Sequence, residues 1–165
     1  MLTVLLLFSA SLIGSAGAEA AQLRFAFLGV RLQNDNERLE PTTRAERDRM
    51  TAIGGQFTSA LETSGGYVIV PLTDEVRAKI ASGQPVGTCG GCEADYGKAL
   101  KADRVGWITV QKVSNLILNM NVYIADPETD KYLFIKSVDI RGNTDESWSR
   151  SLKYLLDNYF FEQKS

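Results

Sequence analysis

Histidine is missing from the 165 residues, cysteine occurs twice, proline occurs four times, and neither sign of charge prevails. Each shortage excludes something. Without histidine the chain has no side chain that ordinarily titrates near neutral pH, no Ser-His or Cys-His nucleophile pair and no histidine-containing zinc site. With 18 basic against 20 acidic side chains the formal charge is −2, so there is no electrostatic reason to expect nucleic acid. Catalytic motifs are lacking too: no G-x-G-x-x-G, no Walker loop, no G-x-S-x-G and no S-x-x-K occurs. Tyr132 and Lys136 have a Y-x-x-x-K spacing, but in a strand that spacing places both on one face as ordinary pairing residues. The carboxylates are scattered, with no pair in an apolar context that would raise a pKa. What is plentiful is apolar. Hydrophobic residues make up 44% of the chain, which excludes wholesale disorder and suffices for one core without staples.

Residues 1–20 read as a secretory signal. Residues 2–13 form an apolar stretch, followed by the small residues Gly14, Ser15, Ala16, Gly17 and Ala18. Cleavage fits after Ala18 or after Ala20, and only the α-amine supplies positive charge ahead of the apolar run. The stretch is shorter than the roughly twenty apolar residues of a comfortable span, and no stop-transfer pattern follows. No cysteine stands at the cleavage point, which argues against a lipid anchor. The expected product is one domain, residues 21–165, in the periplasm.

Residues 22–30 carry Leu23, Phe25, Phe27, Leu28 and Val30, a strand entering a buried sheet, and residues 31–40 are a mostly polar loop. Pro41-Thr42-Thr43 opens a helix with Thr43 and Glu46 spaced as a capping box. Met50, Ile53, Phe57, Ala60 and Leu61 mark its core face, and Gly65-Gly66 closes it. A short strand at 67–70 ends at Pro71, a short helix or turn spans 74–82, and a second helix spans 93–101. Strands at 104–113, 116–125 and 131–141 follow, the last two joined by a turn at 126–130. Gly142-Asn143 begins the final helix, where Asn143 and Glu146 fit a cap and Trp148, Leu152, Leu155 and Tyr159 line one face. The order β-α-β-(α)-α-β-β-β-α predicts an α/β (α+β) fold: one mixed sheet of about five strands, parallel early and antiparallel late.

Cys89-Gly90-Gly91-Cys92 is the sharpest local motif, set before a helix whose N-terminus would lower a thiolate pKa. It has three readings: a structural disulfide suited to an oxidising compartment, a thiol-disulfide exchange site, or a metal site. No further cysteine or histidine exists to complete a soft ligand set. Redox pairs of the thioredoxin type follow the first strand of a βαβ unit, and this pair follows the second, which favours the structural disulfide. The densest polar-aromatic cluster is Arg141, Asn143, Asp145, Trp148 and Arg150. As a partner-binding surface, Trp148 would be its anchor and the arginines its bidentate donors. As a capped helix start, Asn143 caps, Asp145 and Glu146 meet the dipole, and Trp148 packs inward, which already gives each a structural task. Asn34-Asp35-Asn36-Glu37 lacks the glycine and terminal glutamate of a calcium loop, so it reads as solvated. In the strand at 116–125, Leu116, Leu118, Met120, Val122 and Ile124 form an apolar face, while Ile117, Asn119, Asn121 and Tyr123 form a mixed face for solvent, a partner or a ligand.

Leu100-Lys101-Ala102-Asp103-Arg104-Val105 and Tyr123-Ile124-Ala125-Asp126-Pro127-Glu128-Thr129 resemble segments of the N-terminal domain of TolB and of curli-secretion-lipoprotein-like domains. Cys89-Gly90-Gly91-Cys92, residues 112–118 and residues 141–148 are similar to a family of small exported bacterial proteins of unknown function. The resemblance spans roughly Leu23 to Phe161 and implies a periplasmic partner-binding fold used in envelope assemblies. The expected function is therefore an exported, non-enzymatic binding or accessory module that docks an envelope protein through a sheet edge or the Trp148 surface. No cofactor, metal or nucleic acid is expected. Two alternatives stay open: a redox protein using Cys89 and Cys92, and a small-ligand binder or enzyme, which would need a cavity lined by polar groups.

Overall fold

The first apolar run becomes β1 (Leu23–Asn34), an interior strand paired in parallel with β2 (Tyr67–Val70) on one side and β3 (Arg104–Lys112) on the other. The computed structural model describes residues 21–162, so the expected signal stretch and both cleavage points lie outside the described residues. Helices α1 (Arg44–Thr63), α2 (Asp74–Ser82) and α3 (Cys92–Ala99) connect the parallel strands, because a parallel crossover needs length that a hairpin does not. β4 (Ile117–Asp126) and β5 (Lys131–Arg141) then add in antiparallel fashion, giving a five-stranded sheet of order β2-β1-β3-β4-β5. Helix α4 (Asp145–Leu155) runs into a π-helical turn (Leu156–Phe160). The single mixed sheet and the element order are those the sequence pattern predicts.

Three local departures have physical causes. β1 continues to Asn34, through the first part of the expected loop. The register shifts between Phe27 and Val30, where Gly29 takes φ +116°, and this bulge lets the strand go on pairing with β3 as far as Asn34. The cap of α4 is Thr144 rather than Asn143: Thr144 Oγ1 accepts the Ser147 N–H, and Ser147 Oγ accepts the Thr144 N–H, each at 3.2 Å. The amide of Asn143 has been drawn instead into long-range bonds. Lastly, the π turn inserts one residue into the helical phase, so Phe160 rather than Tyr159 enters the core.

Helices α1 and α4 cover one face of the sheet. Ile53, Phe57 and Leu61 from α1 and Trp148, Leu152 and Leu155 from α4 pack there with Phe25, Ile108, Met120, Val122 and Ile140. Full burial of a side chain such as Phe57 contributes roughly 1.5–3 kcal/mol. The opposite face holds a smaller core of Leu28, Val76, Tyr96, Val105 and Trp107 beneath α2 and α3. That cover stops near Tyr123. Beyond it the mixed face of β4 and β5 lies open, with Ser137 Oγ 2.7 Å from Asn119 Oδ1 and 2.8 Å from Asn121 Oδ1, and Ile117 and Ile135 exposed.

Candidate functional site

Three segments distant in sequence meet beside the first turn of α1. The capping box forms as its spacing predicts: the Thr43 N–H donates to Glu46 Oε2 at 2.7 Å, and the Glu46 N–H donates to Thr43 Oγ1 at 3.2 Å. Its acid has a second task. Glu46 Oε1 accepts from Lys112 Nζ at 2.9 Å and from Asn143 Nδ2 at 2.7 Å, and both Glu46 and Lys112 are buried. Asn143 Oδ1 in turn accepts from Trp148 Nε1 and from Arg49 Nη1, each at 3.0 Å, and Arg49 Nε pairs with Asp145 Oδ1 at 2.7 Å. Burial pushes the Glu46 carboxyl up, but the donors from Lys112, the Thr43 backbone, Asn143 and the Thr43 hydroxyl outweigh it and bring it from 4.5 to about 2. A carboxylate held this firmly as an anion is unsuited to general acid chemistry near neutral pH. It locks the junction between α1, β3 and α4.

Three of the five residues predicted for partner binding, Asn143, Asp145 and Trp148, belong to this lock. Trp148 is fully buried and packs inward, flooring a groove of about 320 Å³ between α1 and α4. The other two, Arg141 and Arg150, are exposed and line a separate open depression of about 570 Å³ at the outer edge of β5. Tyr154 and Tyr159 line it as well, their hydroxyls 3.5 Å apart, and Lys136 Nζ sits 3.6 Å above the Tyr159 ring. Arg150 pairs with Glu146 one turn away at 2.5 Å, an exposed contact that contributes little to stability. Ser151 Oγ donates to the Asp139 carbonyl at 3.0 Å, so α4 shields that end of the edge strand. Farther along β5, Tyr132, Leu133 and Ile135 are exposed, and no strand pairs with its outer edge among the described residues.

Sequence reasoning passed over Lys112 and Tyr154. The signal for the first was legible: alternation from Ile108 through Val110 places Lys112 in an apolar stripe, where a charge demands a partner. Tyr154 falls off the apolar face of α4, which marks it as surface.

Cys89 and Cys92 are bonded to each other, with their α-carbons 5.6 Å apart. Gly90 at φ +68° and Gly91 at φ +117° turn the chain so that the bridge can close. The buried Glu93 beside it accepts the Gly87 N–H at 2.5 Å, tying the preceding loop to α3. Bonded to each other, the sulfurs do not act as thiolate ligands alongside Glu93. Replacing both cysteines by serine is expected to lower stability by about 2 kcal/mol, because so short a loop has little closure entropy to lose. Urea unfolding of the double variant checks this, and the transition should stay cooperative.

Residues 23–160 match the family designated DUF3280 and described as a protein of unknown function (DUF2380). The chain belongs to this family. A search of curated proteins finds no match to this DUF3280 chain. Solved structures share its fold at low identity. The LpoB C-terminal domain from Salmonella enterica matches with a TM-score of 0.51 at 11% identity, over 75% of this chain and 87% of that one. Lipoprotein GNA1162 from Neisseria meningitidis matches with a TM-score of 0.53 at 13% identity, over 84% and 99%. A neuraminyllactose-binding hemagglutinin homolog from Helicobacter pylori matches with a TM-score of 0.55 at 11% identity, over 98% and 95%. None of these three is the TolB domain, and they do not show a TolB-like fold. Among the described residues of the DUF3280 chain, no helix is long and apolar enough to cross a membrane.

Proposed function

We propose that this DUF3280 protein is an exported, non-enzymatic module of the bacterial cell envelope that docks a protein partner along β5. The observation that carries the reading is the depression where Arg141, Arg150, Tyr154 and Tyr159 converge beside the open edge of that strand. Arginine and tyrosine are the residue types that most often dominate interface energetics, since each offers large contact area and directed donors. An unpaired strand edge supplies backbone donors and acceptors for an added strand, and the neighbouring arginines select for carboxylates. The partner is therefore an extended segment with acidic side chains near Arg141 and Arg150. Asn143, Asp145 and Trp148 act by holding the junction from which those arginines project. Export to the periplasm, with cleavage near Ala18 or Ala20, is supported by the apolar stretch at 2–13 and by a fold shared with a neisserial lipoprotein.

A photo-crosslinking side chain at Tyr154, introduced in the native host, tests the reading. One discrete protein adduct is expected, falling at least about tenfold when Arg141→Glu and Arg150→Glu are combined. The melting temperature should hardly move, because both arginines are exposed. An adduct indifferent to the charge reversals would sink the proposal, as would no adduct at all.

A further inference from the structure

We propose that a cavity on the sheet face opposite α1 and α4 binds a compact organic carboxylate with an apolar body. The cavity holds about 210 Å³ and lies between β1, β3 and the loop that precedes α3. Leu28, Ile80, Pro85, Val86 and Trp107 supply its apolar walls. An apolar cavity of about 150 Å³ already accommodates benzene, so the body that fits is a single ring or a branched chain.

The polar groups of this cavity choose the ligand's charge. Arg31 and Trp107 both line this cavity, and two buried donors of these residues, Arg31 Nε and Trp107 Nε1, have no hydrogen-bond partner among the described residues. Buried donors are nearly always paired, and orphaned donors on two residues of one cavity mark it as short of acceptors. Arg31 forms no ion pair with a described carboxylate, and its guanidinium has one long hydrogen bond, from Nη2 to Gln33 Oε1 at 3.5 Å. A permanent cation with a planar fork of donors matches a carboxylate through two parallel bonds.

The backbone places Arg31 for this task. The bulge at Gly29 puts Arg31 opposite Thr109, which alternation along β3 sets on the same face as Trp107. Next to the cavity wall formed by Pro85 and Val86, the loop closes tightly over the indole: a Cβ on Gly87 would stand 3.0 Å from Trp107 Nε1. The Glu93 carboxylate holds that loop through the Gly87 N–H, and the Cys89–Cys92 bridge follows directly. The ligand is either a free acid or the C-terminus of a peptide ending in an apolar residue. Both present the same group.

The test titrates 15N-labelled protein with 3-phenylpropionate and, separately, with N-acetyl-leucine, reading the tryptophan indole N–H resonances. Trp148, whose indole is bonded to Asn143, serves as the internal reference. A saturable shift of the Trp107 signal is expected with at least one acid at millimolar concentration. Binding should be at least about tenfold weaker for 3-phenylpropanol and for Arg31→Gln, and restored in part by Arg31→Lys. Tighter binding of 3-phenylpropionate assigns a free acid, and tighter binding of N-acetyl-leucine assigns a peptide terminus. The site is refuted if neither acid moves Trp107, if the alcohol binds as well as the acid, or if Arg31→Gln binds as the parent does. Failure here leaves docking along β5 untouched, because none of that surface lines the cavity.

Discussion

Glu46→Ala is expected to destabilise the protein by about 3–5 kcal/mol, the range for stranding one charge of a buried pair. The charge left behind is Lys112, only 3% exposed, with Glu40 at 3.7 Å as its remaining anion. The substitution also leaves Asn143 Nδ2 short of an acceptor and dissolves half of the α1 capping box. Replacing both Glu46 and Lys112 by methionine should recover most of the loss, because the cost lies chiefly in the unpaired charge. Acid should reproduce part of the effect. The folded state keeps the Glu46 carboxyl near 2, against 4.5 ordinarily, so the unfolded chain takes up the proton first as pH falls. The stabilisation, about 3 kcal/mol, is complete above the ordinary value and is lost as pH drops through it towards the folded one. Urea midpoints measured from neutral pH down to about pH 3 should therefore fall in the parent, and fall less steeply in Glu46→Gln. A single variant losing under about 1 kcal/mol would show that the pair is not the lock described above.

Trp148→Ala should be nearly as damaging, at about 3–5 kcal/mol, for a different reason. The indole is fully buried within the core shared by α1, α4 and the sheet, so truncation leaves a cavity. It also removes one of the two donors to Asn143 Oδ1. Trp148→Phe keeps much of the volume and should cost less, about 1–3 kcal/mol, for the lost hydrogen bond and imperfect fit, since Asn143 Oδ1 still accepts from Arg49. These variants separate the two roles considered for this residue. If Trp148 were a surface anchor, Trp148→Phe would weaken docking while leaving stability unchanged. The expected outcome is the reverse, with a lower denaturation midpoint and the Tyr154 adduct retained.

The residues that misled and those that did not differ in the range of their interactions. Thr43 and Glu46 announced the start of α1 because a capping box is closed within four residues. Asn143 had the same apparent signature and did not cap, because Glu46, 97 positions away, offered its amide a buried charge-assisted bond. Tyr159 sat at the right helical spacing for the core, but the π turn shifted the phase and Phe160 took its place. Gly29, inside the strand expected at 22–30, forms the bulge that prolongs it to Asn34. At the candidate docking surface, the charges of Arg141 and Arg150 were visible in the sequence. Their meeting with Tyr154 and Tyr159 was not, since it depends on how α4 lies across the edge of β5.

The sequence by itself determined the missing histidine chemistry, the close cysteine pair, the order of the elements and the mixed sheet they build. These follow from composition, from alternation along strands and from helical spacing, which act over a few residues. Tertiary structure decided which polar groups would be buried and with whom. Among the described residues it joined Glu46 to Lys112, turned Trp148 inward, left Arg31 Nε and Trp107 Nε1 without hydrogen-bond partners, and opened one edge of the sheet. Such outcomes depend on separations in space between segments remote along the chain, and burial alone makes a charge, or a donor without an acceptor, costly enough to matter.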